Sequence, residues 1–217
     1  MDLPGNGSHT IQYENFDQWL DIFLPIIQQF DNPVIVGHSF GEMLPLLYPE
    51  LEKIISGLVV LNSAPCLWLE EAVKKAKDLN LPDLSLEMQI FTENPTQETF
   101  NQALVACIPY YFPKELAIGR EKLLALPFNF VPAVWWQRKA IEINFEAKWI
   151  PQQVPTLIVS SEFDAICPSI LFMEDERFQR PNIYKQYIKN AGHMPWIEKP
   201  SEIKEIFTNY LSNIRNI

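Results

Sequence analysis

The stretch Val34-Ile-Val-Gly-His-Ser-Phe-Gly41 decides the fold expected for this chain of 217 residues. Its first three residues are β-branched and lack polar alternation, which predicts a strand buried on both faces of a parallel sheet. A helix is predicted from about residue 40 to 48. Between them, the Gly-x-Ser-x-Gly pattern predicts a strained turn that exposes Ser39 at the carboxyl end of the strand. Gly37 and Gly41 are expected to let the strand and helix backbones pass closely.

The same alternation of strands and helices extends outward from this stretch. Apolar runs predict two further strands, at residues 57–62 and 155–160, and the alternation of strands and helices, which resumes after residue 150, predicts a fourth at residues 183–188. Amphipathic periodicity predicts helices at both ends of the chain, at about residues 13–30 and 201–214. Strand, helix and strand at this spacing are typical of an α/β protein. We therefore expect a parallel sheet of about four strands.

The middle of the chain has a different pattern. Residues 66–150 contain several helical patterns and no convincing strand, which predicts a helical cap. The core is then expected to consist of residues 1–65 and 151–217. Because the cap should cover the carboxyl ends of the strands, we expect an apolar pocket above the serine. Three aromatic residues of the cap are expected to contact the substrate, namely Trp135, Trp136 and Tyr110.

A serine hydroxyl is a weak nucleophile unless a general base accepts its proton, so a histidine is required. His193 lies in a loop just past the last predicted strand and is the expected base. His9 lies in an N-terminal loop, and His38 is expected to point away from the serine in a structural role. Asp164, just past another strand end, is the expected carboxylate that orients the base. Glu162 is its competitor from two residues away.

The order of these residues leads to a family resemblance. Ser39, Asp164 and His193 follow the Ser, Asp, His order of the α/β-hydrolases, and the chain resembles the branch of that superfamily that carries a helical cap. The matching segments are the turn at 37–41, the acid loop at 161–168, the base loop at 192–193 and the segment at 2–8, which looks like the family's loop after strand four. Proline iminopeptidases and small carboxylesterases are the most similar members.

The resemblance implies an acyl-enzyme reaction at these residues. Ser39 would be the nucleophile, His193 the base and Asp164 the residue that orients it. The backbone N–H of Phe40 would donate to the oxyanion. The family's loop after strand three, which supplies a second donor, has no counterpart here, and a chain without strands one to four would form a reduced sheet. Glu42 stands where the family has a small residue, so its charge would either be stabilised in the first helical turn or oppose the oxyanion.

A reduced sheet would leave the strand at residues 34–36 at an open edge. Unpaired backbone groups on such an edge favour association with another strand. We therefore expect a homodimer through this edge, or an N-terminal segment that covers it.

The composition argues against two classes of binding partner. Lys and Arg number 17 against 27 Asp and Glu, and the net charge of −10 argues against nucleic acid and membrane surfaces as partners. No apolar run reaches the roughly 18–20 residues that cross a bilayer, and no signal peptide is evident. Three scattered cysteines suit the cytoplasm. The three histidines show no metal-ligand spacing, so we expect no metal and no cofactor.

Two classes of function remain open. The first is a serine hydrolase that acts on small carboxylic esters or amides, as a carboxylesterase or as an aminopeptidase like proline iminopeptidase. The second is a catalytically impaired hydrolase remnant that acts as an interaction module.

Overall fold

The computed structural model describes residues 19–114 and 116–214. Four strands form one sheet, β1 (Val34–His38), β2 (Gly57–Leu61), β3 (Thr156–Ser161) and β4 (Ile183–Ile188). The strands are ordered as they occur in the chain, and each pairs in parallel with the next. The predicted parallel sheet of four strands is therefore confirmed.

Eleven α-helices lie in the described part of the chain. In chain order they are α1 (Trp19–Ile27), α2 (Phe40–Met43), α3 (Leu69–Asp78), α4 (Ser85–Glu93), α5 (Gln97–Ala106), α6 (Ile108–Tyr111), α7 (Leu116–Leu124), α8 (Phe130–Glu142), α9 (Ile170–Met173), α10 (Pro195–Glu198) and α11 (Pro200–Ile214). Short 3-10 turns occur at Pro45–Leu47, Pro49–Lys53 and Glu176–Phe178. No described helix has the length and apolar character needed to span a membrane.

The segment between β2 and β3 contains helices α3 to α8. Side-chain caps define where two of these helices begin. Thr96 accepts a hydrogen bond from the backbone N–H of Thr99 before α5, and Asn129 accepts one from Val131 before α8. An antiparallel bridge between Cys66 and Glu146 joins the two ends of the segment. Apart from this bridge, no strand interrupts residues 66–150 in their described part.

The sheet is packed between helices on both of its faces. On one face, Leu58, Val60 and Ile158 belong to an apolar cluster with Ile27 of α1 and Phe172 of α9. The residues of the same strands that point to the other face pack against α11. They are Val59, Leu61, Leu157 and Val159, in one cluster with Ile203 and Tyr210. As a result β2 and β3 are buried along their whole length, which explains the apolar sequence of β2 and of residues 157–159 in β3.

The first strand differs from its prediction. Burial along β1 alternates, and Val36 is 52% exposed, so β1 is not buried on both faces. The physical reason is its place at the edge of the sheet, where its only strand neighbour among the described residues is β2. A cavity of about 630 Å³ lies beside β1, and its walls come mainly from α1, the following turn and β1 itself.

Helix α1 is also shorter than the predicted helix at residues 13–30. It ends at Ile27, two residues after Pro25, a residue that disturbs the interior of a helix by kinking it or ending it early. Residues 13–18 of the predicted helix and the predicted loop at 2–9, which includes His9, lie outside the described residues.

Candidate active site

The turn between β1 and α2 holds Ser39 in the strained backbone that its motif predicts. Ser39 has φ 53° and ψ −130°, in a region that residues with a side chain rarely adopt. Neighbouring groups hold this backbone in place. The N–H of Ser39 donates to the carbonyl oxygen of Leu61 on β2 at 3.0 Å, and its carbonyl oxygen accepts from the Ser63 hydroxyl at 2.8 Å. Ser39 itself is partly exposed.

The two glycines of the motif do not have the same role. A Cβ on Gly37 would lie 2.8 Å from the Cα of Glu42, so glycine is required there for the close approach of α2 to β1. A Cβ on Gly41 would meet no atom within 4 Å. The expectation that both glycines allow close backbone packing therefore holds for Gly37 and is wrong for Gly41, which faces open space.

Asp164 and His193 form a buried pair. The Nδ1 atom of His193 lies 3.0 and 2.9 Å from the two carboxylate oxygens of Asp164, and both residues have no exposed surface. The backbone N–H groups of Ile166 and Cys167 also donate to Oδ1 of Asp164, each at 2.8 Å. A carboxylate with these donors accepts the Nδ1 proton of the histidine, which leaves the lone pair of Nε2 available as a base.

Glu162, the other candidate for the acid, binds elsewhere. Its Oε2 accepts the backbone N–H of Asn190 at 2.8 Å, near the start of the loop that carries His193. The structure thus places Asp164 against the imidazole and Glu162 at the edge of the same loop.

The Ser39 hydroxyl does not bind His193 in this structure. Nε2 of His193 is buried and has no hydrogen-bond partner among the described residues, whereas Ser39 lies near enough to the thiol of Cys167 to influence its pKa. The expected Ser39–His193 hydrogen bond is therefore not formed. The strained turn constrains φ and ψ of the serine but leaves its side chain a choice of staggered rotamers.

The thiol of Cys167 is a neutral neighbour of the serine. Burial raises its pKa well above the ordinary value, the charge of Asp164 acts in the same direction, and the hydrogen bond with Ser39 opposes them. Sequence reasoning did not identify this residue. A signal for it was its position three residues after Asp164, in the loop that follows β3.

His38 packs against the ring of His193. Its ring is 4.5 Å from the ring of His193, and its Nε2 donates to the carbonyl oxygen of His193 at 3.0 Å. Burial, together with the nearby His193, lowers the pKa of His38 well below its usual value, although the hydrogen bond opposes this shift. His38 is therefore neutral, and it supports the backbone of the base loop. This agrees with the structural role expected for it, although the side chain points towards the base.

The segment between β2 and β3 contacts the loop of His193 through Tyr111 rather than Tyr110. The Tyr111 carbonyl oxygen accepts the backbone N–H of His193 at 2.8 Å, and its ring packs edge-on against the imidazole at 5.1 Å. A Cβ on Gly192 would collide with that carbonyl oxygen, which explains the glycine before the base. Tyr110, the residue expected to contact substrate, donates its hydroxyl to the carbonyl oxygen of Pro82 within the cap.

Trp135 and Trp136, the other residues expected to contact substrate, lie close to the turn. Trp136 is 3% exposed and its ring is 4.9 Å from that of Phe40, the residue after the serine. Trp135 lies between Trp136 and Trp19 of α1, with ring distances of 6.0 and 5.5 Å. Both tryptophans therefore pack helix α8 against Phe40 and Trp19. The cavity beside β1 reaches His38 and Gly41 but does not include Ser39 in its walls.

Asn62 was not identified from the sequence although it contacts two loops of the site. It ends β2 with a positive φ of 40° and is 1% exposed. Its Nδ2 donates to Oδ2 of Asp164 at 2.9 Å and to the carbonyl oxygen of Gly192 at 3.0 Å. The signal in the sequence was an asparagine that directly follows a fully apolar strand, since strand ends on this edge of a parallel sheet carry the polar groups of the site.

The serine on its strained turn and the buried pair of Asp164 and His193 lie in loops at the carboxyl edge of a parallel sheet, which defines the class of α/β-type hydrolases. The sequence model described as "Alpha/beta hydrolase family" matches residues 1–206. The chain belongs to this family.

Individual relatives agree with this assignment. Phospholipase YtpA of Bacillus subtilis (strain 168) is 31% identical over 87 residues, and the match covers 36% of this chain and 33% of the phospholipase. The match thus spans about a third of that relative. An esterase from Exiguobacterium antarcticum is 16% identical with a TM-score of 0.66, over 97% of this chain and 80% of the esterase. A proline iminopeptidase-related protein from Thermus thermophilus is 18% identical with a TM-score of 0.61, over 90% and 69% of the two chains. At such identities these two structures establish the fold.

Proposed function

We propose that this protein is a serine hydrolase that cleaves small carboxylic esters or amides through an acyl-enzyme. The observation that carries the proposal is the environment of the expected base. Nδ1 of His193 is hydrogen-bonded to the buried carboxylate of Asp164, and its Nε2 has no hydrogen-bond partner among the described residues. Ser39, with its strained backbone, lies at the same edge of the sheet. A neutral imidazole oriented in this way is the arrangement that accepts a proton from a hydroxyl.

The reaction follows from this arrangement. Rotation of the Ser39 side chain away from Cys167 brings its hydroxyl to Nε2 of His193, which takes the proton as Oγ attacks the carbonyl carbon. The resulting oxyanion accepts the N–H of Phe40, which begins α2 and has no intrahelical acceptor for this group. His193 returns the proton to the leaving alcohol or amine as its bond to the acyl carbon breaks. Water then repeats the sequence and releases the carboxylic acid.

Esters are the substrates that the surroundings of the serine favour. The described groups near it are aromatic rings, a neutral thiol and a buried Glu42 whose pKa burial raises well above the usual range. None of them offers the negative charge that would bind the free amine of an aminopeptidase substrate. An aminopeptidase activity, which the similarity to a proline iminopeptidase-related fold suggests, is therefore our second candidate.

A cytoplasmic location is part of the proposal. Cys66, Cys107 and Cys167 are all unpaired, which suits a reducing compartment. The partner proposed is a small-molecule substrate.

The test is labelling of the purified chain with a fluorophosphonate probe together with turnover of p-nitrophenyl butyrate and prolyl p-nitroanilide. We expect labelling and ester turnover in the wild type, both abolished in Ser39→Ala. Ser85→Ala, which alters an exposed serine of the cap, should behave as the wild type. Turnover of the anilide alone would favour the aminopeptidase. Labelling without any turnover would favour a hydrolase remnant that acts as an interaction module, for which the unformed hydrogen bond between Ser39 and Nε2 of His193 is the supporting observation.

A further inference from the structure

Asn62 occupies a position from which one side chain can hold both the acid and the base of the site. It lies at the carboxyl end of β2, between β1, which leads to Ser39, and β3, which leads to Asp164. We propose that Asn62 is a positioning residue that keeps the Asp164 carboxylate and the His193 loop in the arrangement needed for catalysis. This inference rests on the function proposed above.

The side-chain amide of Asn62 forms three hydrogen bonds. Its two N–H groups donate to Oδ2 of Asp164 at 2.9 Å and to the carbonyl oxygen of Gly192 at 3.0 Å, and its Oδ1 accepts the hydroxyl of Ser161 at 3.3 Å. An amide with all three interactions formed cannot rotate without losing some of them. Because Asn62 and Ser161 are buried, water cannot replace a lost partner at little cost.

The contact with Asp164 determines the plane of the carboxylate. Oδ1 is held by the N–H groups of Ile166 and Cys167, and Oδ2 is held on the other side by Asn62. Rotation about the Cβ–Cγ bond of an aspartate is otherwise soft. Since Nδ1 of His193 contacts both oxygens, turning of the carboxylate would turn the imidazole and move its Nε2.

The contact with Gly192 fixes the residue next to the base. Other groups hold the same loop, because the N–H of Gly192 donates to Glu198 at 2.6 Å and the N–H of His193 donates to Tyr111 at 2.8 Å. Asn62 is the group among these that also touches the acid. Loss of its side chain would therefore uncouple two loops that lie 29 residues apart in the chain.

The backbone at Asn62 allows a clean experiment. Its φ of 40° is tolerated by glycine without strain, so Asn62→Gly removes the side chain while the turn is retained. Asn62→Asp keeps the shape of the side chain but has no N–H donors. Asn80→Gly is the matched control, because Asn80 is exposed, has φ 51° and lies in the cap.

We expect Asn62→Gly and Asn62→Asp each to lower kcat for p-nitrophenyl butyrate by roughly 10- to 100-fold, with KM changed by less than about threefold, as for a misplaced catalytic group. Asn80→Gly should retain the wild-type kcat. A residue that only fills space would leave Asn62→Asp active, and this result would overturn the proposal. Melting temperatures identify variants that do not fold; if Asn62→Gly fails to fold, Asn62→Asp decides the question.

A second measurement does not need activity. In protein labelled with ¹⁵N-histidine, the low-field proton on Nδ1 of His193 reports its hydrogen bond to Asp164, and His193→Gln assigns the signal. We expect the signal to broaden or disappear in both Asn62 variants and to remain in Asn80→Gly. An unchanged signal together with an unchanged kcat would refute the role of Asn62. If the wild type neither turns over esters nor reacts with the fluorophosphonate, the proposed function fails, while the signal still decides whether Asn62 positions the pair.

Discussion

The carboxyl group of Glu42 lies beneath the Ser39 turn, and neither of its oxygens has a hydrogen-bond partner among the described residues. It packs against Gly37 and has no exposed surface. Burial therefore raises the pKa of Glu42 well above its usual value of 4.5. From the sequence, the charge of Glu42 was expected either to be stabilised in the first turn of the helix or to oppose the oxyanion. Both interpretations assumed an ionised side chain, whereas burial without a hydrogen-bond partner favours the neutral acid.

This burial makes the stability of the protein depend on pH. Between the pKa of Glu42 in the unfolded chain and its higher pKa in the folded protein, only the folded state keeps the proton, so stability falls as pH rises. Glu42→Gln removes this ionisation. We expect its melting temperature to match the wild type near pH 4 and to exceed it increasingly towards neutral pH, by roughly 3–5 °C per pH unit.

Thermal unfolding between pH 4 and pH 8 measures this difference. Glu205→Gln, which alters an exposed glutamate of α11, should follow the wild type at every pH. A constant difference between Glu42→Gln and the wild type over this range would contradict a neutral Glu42.

Among the secondary-structure elements, β1 and α2 pack closely on either side of the Ser39 turn. The first turn of α2 lies so near β1 that a Cβ on Gly37 would be 2.8 Å from the Cα of Glu42. We expect Gly37→Ala to destabilise the fold by about 1–3 kcal/mol or more, because backbone atoms must move. Gly41→Ala should keep or slightly raise the melting temperature, since Gly41 lies within α2 with space around it and alanine favours a helix.

Thermal unfolding of the two variants side by side makes this comparison, and each is the control for the other. Equal losses of stability in both would show that the motif requires its two glycines for the same reason, contrary to the packing seen here.

At the scale of the whole molecule, the edge of the sheet at β1 is the feature that bears on assembly, because no strand lies beyond β1 among the described residues. Residues 35, 37 and 39 direct their backbone N–H and C=O groups towards β2, so those of Val34, Val36 and His38 point away from it. The strand carries no charged side chain that would discourage pairing, since burial keeps His38 neutral. We propose, as the sequence suggested, that two copies of this chain pair through their β1 edges.

A lysine on this edge should prevent the pairing. We expect the wild type to sediment as a dimer or larger species at micromolar concentration in 150 mM salt, and Val36→Lys to shift it towards the monomer. Val73→Lys is the matched control, because Val73 on α3 is 54% exposed, close to the 52% of Val36. A wild type that stays monomeric at this concentration would refute the proposal.

Local patterns in the sequence were sufficient for the sheet and for the identity of the acid–base pair. Apolar runs predicted β1, β2 and β3, because a strand between two layers carries mainly apolar side chains, and β4, which includes Lys185 and Gln186, was predicted from the alternation of strands and helices. The Gly-x-Ser-x-Gly turn and the strand-end loops predicted Ser39, Asp164 and His193, since the carboxyl ends of parallel strands meet at one edge. The structure brings Asp164 and His193 into contact, as predicted from these loops.

Only the tertiary structure decided which groups surround these residues. Asn62, Tyr111 and Cys167 lie far from at least one of their partners in the chain, and side chains reach each other according to the packing of whole elements. The raised pKa of Glu42 was likewise decided by the tertiary structure, because a pKa shift from burial depends on every neighbour that excludes water. Sequence periodicity describes which face of an element is apolar. It contains no information on which residue of another element meets that face, and so it could not distinguish Tyr110 from Tyr111.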